Sequence, residues 1–494
     1  MILCPRNLAL LTFLPALALG SIISDVTGIL LSDAVCAQIA GAVSSDTAVY
    51  YPGDPDYLEA ISHWAITSTE LSACAVAPGT AADVGIILQI LGSTSTPFAV
   101  KGGGYASNPG FSSTTGVHIS LKRFSEVTYD QASQTVVVGA GLIWDDVYAA
   151  LEPFNVNVVG GRVPGLGVGG LTLGGGYSYL TNQYGLTVDT VTAFEFVRTD
   201  GQVVTVTQAS DPDLFFGLKG GGNNFGIVTR FTLQTFPQGQ VWGGLIRFTG
   251  SSIPNVSQAI ANFDANVIDP KAAILSSYDY LFGEPGVAQL LFYDAPTPPD
   301  GIFDEFLAIP YSSMDVSTRS FLSMVQVSPA NGTSNTRAII QSGSVLSYTT
   351  DILDVVLNET MAWASRISDE NGVIVSFTLQ PFLPNIYAHN DQATAFPPDR
   401  SLSLRPFHIH AAWILPTSDN YFHENAKASV ARISNVAVAL GQTSLLGAPV
   451  VHPNYAIYDT PLADMYGDNL PALRALKVAV DPEDVMGLAG GFKF

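Results

Sequence analysis

Positive charge is scarce in this sequence. Its 494 residues include 20 lysines and arginines against 42 aspartates and glutamates, which gives a formal net charge of −22 at pH 7. The average field of such a chain repels polyanions such as nucleic acid and also anionic membrane surfaces, and we exclude nucleic acid as a partner. Only 13% of the residues are charged and 47% are hydrophobic, which is enough to fill the cores of two or three domains.

Long apolar runs are absent after the N-terminus, so we predict no stable membrane span in the mature protein. The first 20 residues, MILCPRNLALLTFLPALALG, combine an early cation, an apolar stretch and small residues. This layout is typical of a secretory signal peptide and predicts a secreted protein or a resident of the secretory pathway. Sequons at Asn255, Asn331 and Asn358 agree with that route and predict a glycoprotein.

Cysteine is rare as well. Of the three cysteines, Cys4 lies in the predicted leader, which leaves Cys36 and Cys74. An even pair in an oxidising compartment predicts one disulfide bond that closes an N-terminal loop, and the alternative is two buried free thiols. No histidine or cysteine cluster accompanies the pair, so we predict no metal site.

The chain divides into two regions of different texture. From about residue 44 to residue 235, glycine is dense and short β-type runs alternate with short helices, such as a hairpin turning at Asp200-Gly201 and a helix opened by Asp211. Further on, the pattern predicts strands over 241–249, 272–282, 287–293, 373–380 and 407–415 and helices over 256–267, 353–367 and 420–440. We predict an α+β fold whose second region is a layer of helices on an antiparallel sheet.

Glycine clusters are the most informative feature of the first region. They are KGGGY (101–105), GGRVPGLGVGGLTLGGGYS (160–178), QYG (183–185) and KGGGNNFGIVT (219–229). Bare backbone is needed where a ligand lies against the main chain, and consecutive amides form an anion site that suits a pyrophosphate. Gly165, Gly167 and Gly170 also fit a dinucleotide fingerprint, but Gly174 to Gly176 would break the helix that this fingerprint requires, and no Walker sequence is present.

Four motifs, in this order along the chain, resemble those of the FAD-linked oxidases of the berberine bridge enzyme-like group, in the vanillyl-alcohol oxidase or PCMH-type superfamily. They are VKGGGYASNPGFSSTTGVHISLKRF, GGRVPGLGVGGLTLGGGYSYLTNQYGLTVDTV, DLFFGLKGGGNNFGIVTRFTL and NYAIYDTPLADMYGDNLPALRALKVAVDPEDVM. The resemblance covers the N-terminal half and the C-terminal segment, whereas the middle is compatible only in length and texture.

The resemblance implies a two-lobed PCMH-type FAD-binding domain with an inserted substrate domain. It divides the chain into a signal peptide (1–20), an FAD-binding domain (21–237), a substrate domain (238–445) and a C-terminal berberine bridge enzyme-like segment that completes the FAD domain (446–494). The residues that it implies for cofactor binding are Gly102, Gly103, Gly104, Tyr105, Leu166, Gly167, Val168, Gly169, Gly170, Gly174, Asn224, Gly226, Ile227, Val228, Asn454 and Tyr455.

Two positions depart from the pattern of that group. Many members link the flavin to a histidine directly after the first glycines, and some add a cysteine in the second cluster, but this chain has Tyr105 and Val163 there. We therefore predict a dissociable FAD of lower potential, with an aryl-ether link through Tyr105 as the alternative. Leu166 occupies the position that shields flavin C4a in the group, and it predicts slow reaction with O2 unless the local backbone leaves a path.

Hydride transfer also needs a group that takes the substrate proton. His408 and His410 stand two apart on a predicted strand and so share one face, which the resemblance places over the flavin. Gln380 on a neighbouring strand is a further pocket candidate. Tyr455 in PNYAIYD is the alternative base, and its other interpretation is a hydroxyl hydrogen-bonded beside the flavin.

These features predict an FAD-linked oxidoreductase, an oxidase that takes hydride from a small organic substrate in specialised metabolite biosynthesis, with O2 as acceptor. The alternative is a non-redox cyclase, or pericyclase, in which FAD is a scaffold, and Tyr105 and Leu166 are consistent with it. A carbohydrate oxidase is a weaker alternative, because such members usually carry both tethers. No motif specifies the substrate, since pocket side chains decide it.

Overall fold

The computed structural model describes residues 33–281, 283–442 and 450–494. The predicted signal peptide (1–20), Cys4 and the predicted domain boundary between residues 445 and 446 lie outside these ranges. Within them, no helix combines the length and the apolar character needed to cross a bilayer.

Eleven strands of the described residues precede residue 238. They are β1 (Ala48–Tyr50), β2 (Cys74–Ala77), β3 (Phe98–Lys101), β4 (Val117–Ser120), β5 (Val127–Asp130), β6 (Thr135–Gly139), β7 (Val156–Asn157), β8 (Val191–Val197), β9 (Val203–Val206), β10 (Ile227–Gln234) and β11 (Phe236–Pro237). Strands β1-β2-β4-β3 form one sheet, parallel except for the β1–β2 pair. Strands β5-β6-β10-β8-β9 form an antiparallel sheet, and β7 pairs with β11.

Short helices connect these strands. They are α1 (which includes residues 33–42), α2 (Tyr57–Ile61), α3 (Ala81–Thr94), α4 (Trp144–Leu151), α5 (Val168–Leu173), α6 (Thr181–Tyr184) and α7 (Pro212–Leu218). Helix α7 begins where the sequence predicts, because the Asp211 carboxylate accepts the Leu214 N–H at 3.1 Å. Helix α5 ends at Gly174 after 6 residues, in agreement with the argument against a dinucleotide-binding helix.

The second region contains a seven-stranded antiparallel sheet of order β15-β12-β14-β13-β17-β18-β16. Its strands are β12 (Val241–Thr249), β13 (Ala272–Leu281), β14 (Glu284–Tyr293), β15 (Ser313–Arg319), β16 (Arg337–Val345), β17 (Gly372–Leu379) and β18 (Arg405–Trp413). The helices between and after them are α8 (Ile253–Asn266), α9 (Asp304–Ala308), α10 (Phe321–Gln326), α11 (Thr350–Ala364), α12 (Asp419–Ala439), α13 (Leu462–Tyr466) and α14 (Leu470–Val480).

The five strands and three helices predicted for this region are present, with ends shifted by a few residues. Two strands escaped prediction. Most residues of the edge strand β15 are exposed, and its sequence does not alternate between apolar and polar residues. Strand β16 carries polar residues and Gly343 within its span. A weak apolar pattern at a sheet edge leaves little signal for sequence-based prediction.

The two faces of the seven-stranded sheet have different neighbours, because successive side chains of a strand point to opposite sides. Ile246, Ile274 and Phe377 pack into one hydrophobic core with side chains of α8, α11 and α12. The opposite face is turned toward the N-terminal half and forms part of a cavity wall.

The predicted disulfide bond is present and joins α1 to β2. The sulfur atoms of Cys36 and Cys74 are 2.06 Å apart, and the bond closes a loop of 38 residues in sequence. Closing such a loop restricts the unfolded chain and stabilises the folded N-terminal region.

The C-terminal segment returns to the N-terminal half. Ala489 forms a parallel bridge with Phe98 of β3, and the Phe494 N–H donates to Asn224 Oδ1 at 3.2 Å. Residues of the tail therefore pack beside the fourth glycine cluster, although more than 200 residues separate the two in sequence.

Candidate active site

A cavity of about 680 Å³ lies between the N-terminal half and the seven-stranded sheet. This volume falls in the range of small-molecule and cofactor sites. Two walls face each other across it. We call residues 102–108, 166–174 and 226–228 the glycine wall, and we call the inward-facing residues of the seven-stranded sheet the sheet wall.

The glycine wall is built from main chain that approaches main chain. A Cβ atom added at Gly103 would lie 2.5 Å from Gly167 Cα, so no larger residue fits there without a shift of backbone. A Cβ atom added at Gly170 would meet no protein atom within 4 Å and would project into the cavity region. The wall thus offers a side-chain-free cradle of the kind that a dinucleotide cofactor requires.

Most residues that the sequence predicts for cofactor binding line this cavity. They are Gly102, Gly103, Gly104, Tyr105, Leu166, Gly167, Gly169, Gly170, Gly174, Gly226, Ile227, Val228, Asn454 and Tyr455. Val168 and Asn224 are not among the lining residues. The side chain of Val168, the first residue of α5, is fully buried in the hydrophobic core.

Asn224 and Asn454 both fasten the C-terminal tail. The amide nitrogen of Asn224 donates to the carbonyl oxygens of Gly221 at 2.7 Å and Phe492 at 3.0 Å. The amide nitrogen of Asn454 donates to the Gly170 carbonyl at 2.9 Å, and its oxygen accepts the Gly176 N–H at 3.1 Å. Asn454 therefore connects the tail to the glycine wall inside the cavity, whereas Asn224 acts behind the cavity lining.

Tyr105 follows the first glycines and lies face to face with Trp64, with ring centroids 4.8 Å apart and an angle of 14° between the planes. Burial, assisted by Tyr455 and Asp145, raises the pKa of the Tyr105 phenol well above its ordinary value, so the phenol stays protonated. Trp64 also lines the cavity. No motif marks Trp64 in the sequence, because it precedes the glycine clusters in a segment without a recognisable pattern.

His408 and His410 share one face of β18, as predicted, and both line the cavity. The His408 ring stacks on Tyr455 at 4.7 Å, and its Nδ1 lies 3.1 Å from the amide nitrogen of Gln380. An amide nitrogen only donates, so Nδ1 accepts and the neutral ring carries its proton on Nε2. Burial, then the charges of His410 and Arg162, lowers the pKa of His408 to about 3, and burial lowers that of His410 to about 4.

Gln380 is buried behind these groups and does not line the cavity itself. Its oxygen accepts from Arg162 Nη2, which also donates to the Tyr455 hydroxyl at 3.2 Å. Gln380, Arg162, Tyr455 and His408 therefore form one connected network. Sequence analysis did not single out Arg162, although a charged residue inside an otherwise apolar glycine cluster was a usable signal.

A second group that sequence analysis missed is Asp279 on β13. It lies in the sheet wall opposite Ser376 of β17, whose hydroxyl donates to Asp279 Oδ1 at 2.5 Å, and Ser376 in turn lies opposite His410. Burial raises the pKa of Asp279 to about 7, although the Ser376 hydrogen bond and the charge of Arg247 favour the ionised form. A carboxyl group with such a pKa can exchange a proton near neutral pH.

Comparison with known proteins agrees with this site. A family model described as an FAD binding domain matches residues 72–207, which contain the first three glycine clusters. FAD-dependent monooxygenase drtC of Aspergillus calidoustus is 31% identical to this chain over 477 residues, covering 93% of the chain and 90% of that protein. Fold and site thus define an FAD-linked oxidoreductase. The chain belongs to the same family of FAD-linked oxidoreductases as this relative, and its cofactor is FAD.

Solved structures show the same fold. The 6-hydroxy-D-nicotine oxidase from Arthrobacter nicotinovorans superimposes with a TM-score of 0.75 at 18% identity, covering 90% of this chain and 96% of that one. A variant of the BBE-like 1 protein of Physcomitrella patens superimposes with a TM-score of 0.74 at 20% identity, covering 92% and 97%. The two-lobed FAD-binding architecture with helices on an antiparallel sheet is therefore confirmed.

Proposed function

We propose that this enzyme takes hydride from a small, largely apolar organic molecule in specialised metabolite biosynthesis, with non-covalently bound FAD and with O2 as the final acceptor. FAD supplies the hydride acceptor, and this chain supplies the residues that hold it and handle the substrate proton. The cavity supports an apolar substrate, because Leu245, Leu275, Leu290, Ile340 and Ile374 line the sheet wall.

The environment of Tyr105 is the observation that carries the non-covalent proposal. It is stacked on Trp64, and burial keeps its phenol protonated, which disfavours the phenolate that an aryl-ether link would require. Val163 has no nucleophile, and the two cysteines in the described part of the chain are joined to each other. Acid precipitation of the holoprotein should release FAD into the supernatant, and a pellet that stays yellow would refute the proposal.

We propose Asp279 as the group that accepts the substrate proton. Its pKa of about 7 matches that task, whereas the Nδ1 atom of His408 is occupied by Gln380 and the other ring nitrogen carries the proton. His408 and Tyr455, fixed by the Arg162 and Gln380 network, then orient the substrate. His410 Nε2 has no hydrogen-bond partner among the described residues, and we propose that it contacts the substrate directly.

Anaerobic mixing with candidate substrates tests the reaction class. Hydride transfer bleaches the flavin band before oxygen is admitted, and the product lacks two hydrogen atoms relative to the substrate. A product that has gained an oxygen atom would instead support monooxygenation, the activity named for the Aspergillus relative. The non-redox cyclase remains the second candidate because Leu166, which belongs to the glycine wall, lines the cavity, and turnover without bleaching would favour it.

We further propose that residues 21–237 and 446–494 form the FAD domain and that residues 238–445 form the substrate domain. The hydrogen bonds of Asn224 and Asn454 support this division, since each joins the tail to the N-terminal half. A protein truncated after residue 445 should therefore retain no FAD. Retention of a full complement of FAD would contradict the division.

Entry into the secretory pathway, with loss of residues 1–20, is also proposed. The disulfide bond between Cys36 and Cys74 supports an oxidising compartment, and Asn255, Asn331 and Asn358 are exposed and open to glycosylation. Protein from a eukaryotic host should lose apparent mass on treatment with peptide-N-glycosidase. Unprocessed, unglycosylated protein retained in the cytosol would contradict this.

A further inference from the structure

Arg162 is a buried cation without a counter-charge. Only 4% of its surface is exposed, and its hydrogen-bond partners, Gln380 and Tyr455, are neutral. Its Nη1 atom is buried with no partner, and none of the salt bridges between described residues includes Arg162. By contrast, the buried Arg405 pairs with Asp264 and Arg400 pairs with Asp189.

The other neighbours of Arg162 are also uncharged. Its guanidinium carbon lies 5.3 Å from the ring centroid of Phe382 and 5.9 Å from that of Tyr177. Such cation–π contacts compensate only part of the loss of hydration. A buried charge with no opposite charge is destabilising, so an anion that enters the cavity stabilises this arrangement.

The net charge of the cavity lining is opposite in sign to that of the whole protein. Among the lining residues of the described ranges, the charged side chains are Arg162, Arg247 and Asp279, while the chain carries a net charge of −22. Asp279 is hydrogen-bonded to Ser376 in the sheet wall, and it is not an ion-pair partner of Arg162. The cavity lining therefore favours the binding of a negatively charged group, although the protein as a whole is acidic.

We propose that Arg162 is the charge partner of the reduced isoalloxazine ring and raises the reduction potential of the bound FAD. This inference depends on the proposed hydride transfer. A hydride carries two electrons and one proton, so a neutral ring that accepts it gains one negative charge, while the second substrate proton leaves to a base.

The position of Arg162 favours the ring over a substrate as its partner. Arg162 belongs to the same segment as Gly167, Gly169 and Gly170 of the glycine wall, whereas Arg247 belongs to the sheet wall. FAD remains bound through every turnover and acquires the charge whatever the charge of the substrate. Arg162 is always charged and FAD is always bound, so the effect of Arg162 on the reduced flavin should be measurable without any substrate.

The test uses the FAD-loaded protein and two measurements. The first is the midpoint potential by anaerobic dye equilibration. The second is the dissociation constant of sulfite, which adds reversibly to flavins whose surroundings stabilise negative charge. In Arg162→Met we expect the reduced form to lose at least about tenfold in relative stability, which lowers the potential by about 30 mV for a two-electron couple. Sulfite should bind correspondingly more weakly. Arg162→Lys keeps the charge and should fall between Arg162→Met and the wild type.

Arg247→Met is the matched control, since it removes the other cavity arginine and should leave both values unchanged. Arg162→Met is expected to fold, because replacing an unpaired buried charge by an apolar side chain removes a penalty. If it fails to retain FAD, Arg162→Gln, which also removes the charge, decides: a potential below that of Arg247→Met supports the inference, and an equal one overturns it.

A wild-type potential in Arg162→Met would also overturn the inference. If the affinity for a carboxylate such as trans-cinnamate fell while the potential stayed the same, the charge would serve a substrate and not the flavin. Failure of the proposed function is distinguishable. In that case the wild-type flavin would not be bleached by any substrate, although its potential would still depend on Arg162.

Discussion

The two walls of the cavity are built in opposite ways. The glycine wall presents bare main chain at its glycines, beside side chains such as those of Tyr105 and Leu166, and its shape depends on the close approach of Gly103 to Gly167. The sheet wall presents side chains from six strands, and its chemistry depends on cross-strand neighbours such as Asp279, Ser376 and His410. The first wall is suited to a cofactor whose shape is fixed, and the second can change its specificity one side chain at a time without altering the fold.

This comparison predicts that the glycine wall tolerates less change than the sheet wall. Gly103→Ala should have the largest effect, because the new Cβ would lie 2.5 Å from Gly167 Cα and 2.9 Å from Gly167 N, and both are main-chain atoms. We expect loss of bound FAD together with a free energy of unfolding lowered by about 1–3 kcal/mol. The flavin-to-protein absorbance ratio and the melting temperature measure the two effects.

Gly239→Ala is the control for that substitution. A Cβ at Gly239 would meet no atom within 4 Å, so FAD content and stability should match the wild type. Full FAD occupancy in Gly103→Ala would break the comparison, because the glycine wall would then not require bare backbone.

The next effect is expected in the sheet wall and should spare the cofactor. Asp279→Asn keeps the size of the side chain and its bond to Ser376 but cannot accept a proton, so the rate of flavin reduction should fall by about 10²- to 10⁴-fold with FAD content unchanged. The wild-type rate should rise with pH through about 7, since the carboxyl group must be ionised to act as a base and burial raises its pKa to about 7. Stopped-flow reduction over a pH series measures both, and an unchanged acid limb in Asp279→Asn would contradict the assignment.

The same comparison explains what the sequence could predict. Glycine clusters are local, so the glycine wall, the FAD cofactor and the pair His408 and His410 were all accessible from short stretches. Asp279 was not, because nothing in the strand SSYDYL distinguishes it from any polar residue of a half-buried strand. Its role depends on a register that brings it opposite Ser376, 97 residues away in sequence.

Non-local contact also explains the missed Trp64 and the changed interpretation of Asn224. Trp64 reaches the cavity through non-local contacts, since its ring stacks on Tyr105 and lies 5.5 Å from that of His410. Asn224 lies within a glycine motif, yet its amide is used by the tail residues Phe492 and Phe494 rather than by the cavity lining. Motifs thus located the segments correctly but did not specify the direction of each side chain.

A smaller effect is expected for Gln380→Leu, which acts on the network behind both walls. The substitution leaves Arg162 Nη2 with one partner fewer and His408 Nδ1 with none, so the free energy of unfolding should fall by about 1–3 kcal/mol. Urea denaturation measures it. Gln258→Leu on the exposed side of α8 is the control and should change the free energy of unfolding by less than about 0.5 kcal/mol. Equal effects of the two substitutions would show that the network does not contribute to stability.

The smallest predicted effect is a shift in pH dependence. The Ser376 hydroxyl donates to the Asp279 carboxylate and favours its ionised form, so Ser376→Ala should raise the pKa of Asp279 further. The acid limb of flavin reduction should then move to higher pH by less than about one unit, because one net hydrogen bond is worth about 1 kcal/mol. Ser277→Ala is the control, since its hydroxyl bonds to Thr378 at 2.8 Å and not to Asp279. A shift toward lower pH in Ser376→Ala would show that Ser376 does not stabilise the carboxylate, and the sheet wall would then lack the cross-strand tuning that separates it from the glycine wall.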